Sequence, residues 1–167
     1  MPRGTPIRIL RLSEALAGRG HEVHVAAYHL GSGPVGNGVQ VHRIRDIPSY
    51  RKLGPGPSYR KVLQVDPALG GLLRRMLRDH AFDVIHAHHY EGLLVGAAAR
   101  IGRRVPLVFD AHSLVAAELP YFPLGLPFRA KAAFGQIMDN ALPRLADHTV
   151  CVTDVIRDAL VGRSGLD

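Results

Sequence analysis

A strand–helix–strand pattern between Phe82 and Leu114 constrains the fold more than any other stretch of this sequence. Two short apolar runs, 83–87 and 106–111, flank a helix of small residues predicted over 92–101. Apolar runs without polar alternation are typical of strands covered on both faces, and a crossover helix makes two such strands parallel neighbours. The stretch therefore predicts part of a parallel sheet.

Histidines lie at the ends of both predicted strands. His86, His88 and His89 close the first strand, and His112 follows the second. Because open parallel sheets bind ligands outside the carboxyl ends of their strands, we expect a functional site here. On an ideal strand Asp110 and His112 share one side, as do His86 and His88, so His89 is predicted to point elsewhere. Asp110 is a candidate for orienting a neighbouring side chain.

Helices and strands alternate through the rest of the chain. We predict helices over 6–18, 66–80, 129–145 and 154–161, and further strands over 22–28, 39–44 and 148–152. Asp66 is predicted to cap its helix, with Pro67 in the first turn, and Pro143 to break the long helix. This order predicts one α/β domain over residues 1–167, Rossmann-like and doubly wound, with a mainly parallel sheet.

Composition limits the compartment and the partners. Lysine and arginine number 21 against 14 acidic residues, so the net charge of +7 favours a nucleotide, a phosphate or an anionic lipid. Dispersed basic residues without a recognition motif argue against nucleic acid. Cys151 is the single cysteine, which excludes an internal disulfide. No run approaches the roughly 18 apolar residues of a membrane span, so we expect a cytoplasmic protein.

Two segments are predicted to lie on the surface. The sequence SYRK occurs twice between Ser49 and Lys61, and its tyrosines and basic residues either are simply solvated or grip a phosphate or base. The apolar segment 121–128 either packs against its own domain or enters a membrane surface, with Arg129 and Lys131 meeting headgroups. A peripheral membrane contact is therefore one expectation.

Four runs resemble, in order, landmarks of the acceptor-side domain of family-four retaining glycosyltransferases. They are PIRILRLSEALAGRGHEVHV, DVIHAHHYEGLLVGAAAR, VPLVFDAHSLVAAE and ADHTVCVTDVIRDAL, and together they span nearly the whole chain. The resemblance implies the GT-B fold, in which two Rossmann-like domains face each other. It also implies transfer of a sugar from a nucleotide-sugar co-substrate to an acceptor hydroxyl, with retention of configuration and without a cofactor or an obligatory metal.

The resemblance assigns roles to five residues. His112 matches the histidine beside the transferred sugar and is the predicted catalytic residue, while His88 and Glu118 match positions that line or support the cleft. Gly4 matches the first glycine of a loop near the donor phosphates, and Thr5 stands where a second glycine is usual. A neutral imidazole can hydrogen-bond sugar hydroxyls, and a carboxylate such as Glu118 could hold its tautomer.

A metal site is an alternative use of the histidines. Nitrogen and oxygen ligands could come from His86, His88, His89, Glu91 and His112. The resemblance explains the histidines without a metal, so we predict none.

Two departures from the family pattern bear on activity. The sequence begins in the loop after the family's first strand, whose place is between the strands at 22–28 and 83–87, and it ends near the linker to the donor-binding domain. We therefore expect an N-terminally truncated acceptor domain that lacks its first strand and its donor domain and is inactive alone. A hypothesis of another class is a noncatalytic basic module that docks on anionic lipid or another polypeptide.

Overall fold

The computed structural model describes residues 4–31, 36, 38–52 and 58–164, and its helices and strands alternate as predicted. The helices are α1 (Gly4–Ala17), α2 (Asp66–Asp79), α3 (His89–Ala99), α4 (Val115–Glu118), α5 (Phe128–Ala141) and α6 (Asp154–Ser164). The strands are β1 (Val23–Ala27), β2 (Val39–Arg43), β3 (Ile85–His88), β4 (Leu107–Ala111) and β5 (His148–Cys151). Part of the predicted SYRK surface loop, residues 53–57, lies outside the described residues.

All strand pairs are parallel, and they form two sheets. β1 pairs with β2, while β4 lies between β3 and β5. Among the described residues no strand joins β1 to β3. The sheet therefore divides between β1 and β3, where the first strand of the family pattern was predicted to be lacking. The predicted α/β class is confirmed.

The two faces of the β3–β4 pair differ in chemistry. Ile85 pairs with Leu107 and Ala87 with Phe109, and these buried apolar side chains face α3. The helix can approach closely because Gly96 has no side chain. A Cβ at this position would lie 2.8 Å from Leu107 Cδ1. The alternate residues occupy the opposite face, which α1 reaches; they are His86, His88 and Asp110, together with Val108. Helices thus cover both faces of the sheet, as a doubly wound fold requires.

A second core lies beside β1 and β2 and corrects two predictions. Tyr50 is 5% exposed and packs with Ile44 and Val65, so it is a core residue and is unable to grip a phosphate. A π-helical turn, Lys61–Val65, leads directly into α2. Because this turn continues the helix upstream, Asp66 does not cap it; its carboxylate instead accepts a hydrogen bond of 2.6 Å from the Tyr28 hydroxyl.

The segment after β4 is more ordered than the predicted loop. α4 and a 3₁₀ turn, Leu119–Tyr121, precede α5. α5 ends at Ala141, and Pro143 lies in the 3₁₀ turn Leu142–Leu145 that follows, which confirms the predicted break. None of the helices in the described part of the chain is both long enough and apolar enough to cross a bilayer.

Candidate functional site

Asp110 lies at the centre of a group of polar side chains on one face of the sheet. This histidine cluster consists of Asp110, Arg8, Thr5, His86, His88, His89 and His112. Its side chain is fully buried in the penultimate position of β4. Arg8 of α1 donates from Nε to Asp110 Oδ2 at 3.0 Å and from an Nη to Oδ1 at 3.3 Å. This two-bond pairing supplies the counter-charge that a buried carboxylate needs.

Three histidines surround the same carboxylate. His88 Nδ1 lies 3.3 Å from Asp110 Oδ2, and His86 Nε2 lies 3.6 Å from that oxygen. His112 Nε2 lies 3.7 Å from the other oxygen and 3.1 Å from His88 Nδ1. The register explains the grouping, since His88 pairs with Asp110 across the parallel strands and His86 shares its face.

The start of α1 completes the cluster. The Thr5 hydroxyl lies 2.8 Å from His89 Nε2 and 3.4 Å from His112 Nδ1. The rings of His89 and His112 stack with centroids 4.4 Å apart. The first turn of a helix exposes backbone N–H groups, so α1 presents hydrogen-bond donors beside the histidines.

Burial keeps the histidines neutral. Desolvation lowers the pKa of His88 to about 4, with a further lowering from neighbouring His86. Desolvation also lowers the pKa of His86 and of His112, and in both cases Asp110 opposes the shift only in part. Neutral imidazoles each offer one donor and one acceptor, which is what recognition of hydroxyl groups requires.

One proton arrangement satisfies this chain of contacts. Because a carboxylate only accepts, a proton on His88 Nδ1 is favoured, and it lies between Asp110 and the lone pair of His112 Nε2. His112 then donates from Nδ1 to the Thr5 oxygen, and the Thr5 hydroxyl donates to His89 Nε2. This assignment leaves the Nε2 lone pair of His88 for a ligand.

Asp139 of α5 holds the segment that follows His112. It is fully buried, and it accepts hydrogen bonds from the Tyr90 hydroxyl at 2.7 Å and from the backbone of Val115 and Ala116 at 2.8 and 3.0 Å. The two backbone donors belong to the first turn of α4, whose N–H groups have no partner within the helix. Asp139 thus joins α3, α4 and α5 next to the histidine cluster.

Two of the predicted site residues stand apart from the cluster. Gly4 is the exposed first residue of α1, and a Cβ there would meet nothing within 4 Å, so no contact within the described chain requires glycine. Glu118 is exposed at the end of α4, and the described residues give it no side-chain hydrogen bond or ion pair. Asp110 occupies the place beside His112 that the sequence analysis offered to Glu118. The binding roles of Gly4 and Glu118 stay predictions.

Three residues are more central to the cluster than their positions in the sequence predicted. His89 was predicted to point away, but its positive φ of 61° turns the chain so that its ring meets Thr5 and His112. A left-handed conformation is uncommon outside glycine, and at the start of a helix it escapes strand-parity arguments. Arg8 was not among the predicted site residues, and the central position of Asp110 is visible only through the strand register.

The geometry also bears on metal binding. Ligand atoms of His86, His88 and Asp110 all lie within 4.8 Å of one another, a spacing that could hold an ion. Arg8 already donates to both oxygens of Asp110, so its guanidinium occupies the place and supplies the charge that a cation would. The residues present therefore fit a metal poorly.

Comparison with known proteins identifies the family. The family model described as Glycosyltransferase Family 4 matches residues 2–167. A search of curated proteins finds no match to this chain. The family match covers nearly the whole sequence and includes both strands, the histidines and the first helix. The chain therefore belongs to glycosyltransferase family 4, and its function is of the glycosyltransferase type.

Proposed function

We propose that this chain forms the acceptor-side half of an enzyme that transfers a sugar from a nucleotide-sugar to an acceptor hydroxyl, with retention of configuration. The observation that carries the proposal is the contact of His112 with both His88 and the Thr5 hydroxyl, at the carboxyl ends of β3 and β4. Open parallel sheets bind ligands at the end of the sheet that is formed by the carboxyl ends of the strands. Sugar transfer needs neutral polar groups here, and burial supplies them.

The proposed roles follow from the hydrogen-bonding capacity of each group. The ring of His112 lies against the transferred sugar, because its two nitrogens face His88 and Thr5. His88, through its free Nε2, accepts from a sugar hydroxyl. The N–H groups at the start of α1, where Gly4 and Thr5 lie, bind the donor phosphates, because a helix N-terminus favours anions. We assign Glu118, exposed at the end of α4, to the acceptor, because a carboxylate can accept from an acceptor hydroxyl.

The reaction proposed here uses no metal ion. Arg8 balances the charge of Asp110, and the lowered pKa values leave the histidines as neutral hydrogen-bonding groups. The remaining contacts to the nucleotide are assigned to a donor-binding domain, either in the same natural polypeptide or in a partner. On this proposal the chain alone binds substrate weakly and does not turn it over.

The test uses the natural polypeptide that contains this sequence, assayed for nucleoside diphosphate release from a panel of nucleotide-sugars. Replacing His112 by alanine removes a contact to the transferred sugar, and we expect kcat to fall by about 100-fold. His21→Ala is the matched control, because His21 is exposed and lies outside the cluster. Retention is read from the anomeric coupling constant of the product. Full activity of His112→Ala, or an inverted product, would contradict the proposal.

A second candidate function is docking on a membrane surface, and one observation favours it. The 121–137 apolar surface is defined by six exposed side chains, namely Tyr121, Leu124, Leu126, Phe128, Phe134 and Ile137. The rings of Tyr121 and Phe128 are in contact, with centroids 5.7 Å apart, and exposed apolar groups that adjoin in this way mark interaction sites. One part of the sequence prediction changes, since Lys131 is buried and donates to the Phe122 carbonyl oxygen, which leaves Arg129 as the exposed cation nearby.

Flotation with phosphatidylglycerol vesicles tests this second candidate. The double variant Leu126→Ser and Phe128→Ser removes two exposed apolar side chains. We expect the free energy of membrane binding to weaken by roughly 1 kcal/mol for each side chain, so that the bound fraction falls several-fold. Val155→Ser is the control, because Val155 is 75% exposed on α6, outside this surface. Equal flotation of the double variant and the wild type would exclude this surface as the membrane contact.

A further inference from the structure

Two adjoining cavities lie along α2, and no residue of the histidine cluster lines either of them; the larger is lined partly by Ile44 and Arg45, which directly follow β2. The cavity volumes are about 540 and 180 Å³, and Gly71 and Arg75 line both. α2 ends at Asp79, shortly before β3 begins, and Arg103 of the smaller cavity lies between α3 and β4. The smaller cavity is therefore at the amino ends of the strands, whereas the histidines are at the carboxyl ends.

The lining of these cavities is strongly cationic. It contains five arginines and no acidic residue among the described ones; the arginines are Arg45, Arg74, Arg75, Arg78 and Arg103. Two of them have an ordinary structural explanation. Arg78 pairs with Asp79 at 2.9 Å, and Arg103 donates to the Leu77 carbonyl oxygen at 2.6 Å. Cations commonly satisfy the last carbonyl groups of a helix in this way.

Arg74 and Arg75 lack this explanation. They precede the last turn of α2, both are exposed, and neither makes a hydrogen bond or ion pair with the described part of the chain. Guanidinium groups held near other cations repel one another unless an anion lies between them. A guanidinium fork also matches the geometry of phosphate oxygens, which two such groups can bind together.

The wall of the larger cavity adds a second requirement. Ile44, Ile47 and Ala68 line it together with Arg45 and Arg75. A ligand that fills this cavity places an apolar group against the two isoleucines while its charged end faces the arginines. An inorganic anion would leave the apolar wall in contact with water.

We propose that the α2 cavities bind a phosphate ester that carries an apolar group, with the phosphate held by Arg74 and Arg75. This site is separate from the sugar-transfer site, and the transferase proposal does not depend on it. The same ligand chemistry occurs in a lipid headgroup at a membrane and in a free amphiphilic phosphate. The experiment must therefore distinguish a bilayer from a soluble ligand.

Titration calorimetry with dihexanoyl phosphatidic acid tests the site in the natural polypeptide. We expect Arg75→Gln to weaken binding about tenfold, because it removes a charge-assisted contact. Arg19→Gln, which removes an exposed arginine outside the cavities, should leave binding unchanged. Dihexanoyl phosphatidylcholine, which has the same chains and no net charge, should bind at least tenfold more weakly. Equal binding of the two lipids, or equal loss in the two variants, would overturn the proposal.

Vesicle flotation separates the two sources. Arg75-dependent flotation with vesicles that contain phosphatidic acid would support the site and assign the phosphate to a bilayer headgroup. Arg75-dependent binding of the soluble lipid without flotation would support it with a free phosphate ester as ligand. Flotation that is insensitive to Arg75→Gln, combined with no binding of the soluble lipid, would refute it.

Discussion

Asp110 is the residue on which the chemistry of the histidine cluster depends. It is the fully buried carboxylate that Arg8 neutralises, and three imidazole rings lie within 3.7 Å of it. Removing it would leave Arg8 without its buried partner and would free His88 Nδ1 from its nearest anionic acceptor. In the proposed function Asp110 therefore acts by positioning and charge balance, through the histidines rather than by direct contact with a sugar.

The lowered pKa of His88 makes stability depend on pH. Burial and His86 lower it from 6.5 to about 4 in the folded chain, so between these values the unfolded chain binds a proton that the folded chain does not. The free energy of unfolding is unaffected by His88 above pH about 6.5, falls as pH drops through this window, and levels off below about 4. The loss is on the order of 3 kcal/mol.

Urea unfolding at several pH values between about 7.5 and 4 measures this dependence. His88→Asn removes the titrating group, so its unfolding free energy should fall less steeply with decreasing pH than that of the wild type. His21→Asn, at an exposed position, should keep the wild-type slope. Identical slopes for wild type and His88→Asn would show that His88 is not buried as a neutral ring.

The sequence predicts the members of the cluster better than their arrangement. Strand parity places His86 with His88 and Asp110 with His112, and the parallel register brings these pairs together. Parity fails at His89, because one residue with φ of 61° reverses the direction of its side chain. Thr5 was implicated only through the family resemblance, since no local pattern shows that α1 begins beside histidines more than eighty residues away.

Among the elements, the contact between α4 and α5 most directly supports the site. A Cβ on Gly135 would lie 2.5 Å from Ala116 Cα and 2.6 Å from Ala116 N, which are backbone atoms that cannot rotate away. This close approach, together with the hydrogen bonds of Asp139, fixes the segment that continues from His112. No period or propensity in the sequence distinguishes Gly135 from a glycine that merely weakens a helix.

Gly135→Ala tests the close contact, because helix propensity and packing predict opposite signs. Propensity alone would stabilise α5 by about 1 kcal/mol, whereas overpacking against the α4 backbone costs about 2 kcal/mol or more, so we expect net destabilisation. Gly70→Ala is the matched control in α2, where a Cβ would meet nothing within 4 Å, and it should stabilise the chain. Chemical unfolding of both variants gives the comparison; a gain in stability for Gly135→Ala would contradict the packing account.

Element types were predictable from periodicity, and their ends were not. The predicted strand at 148–152 and the observed His148–Cys151 differ by one residue. At Asp66 the local capping signal of an aspartate before proline was overridden by the π-helical turn upstream and by the Tyr28 hydrogen bond. Such tertiary contacts compete with capping and are invisible in a local window.

At the scale of the whole molecule, the two ends of the sheet carry different chemistry. Neutral histidines and the start of α1 lie at the carboxyl ends of β3 and β4, and the smaller of the arginine-lined cavities lies at the amino end of β4. The net charge of +7 is therefore not concentrated at the proposed sugar site. Composition indicated an anionic partner, but only the fold separates a site for neutral hydroxyls from a site for a phosphate ester.

The crystal structure of the natural polypeptide with a bound nucleotide-sugar is the most direct test of the central claim. We expect a sugar hydroxyl within about 3 Å of His88 Nε2, the ring of His112 in contact with the same sugar, and the diphosphate beside the first turn of α1. A sugar bound away from both histidines, with the contacts of His112 to His88 and Thr5 unchanged, would show that the cluster is a structural feature of this half and that sugar transfer takes place elsewhere.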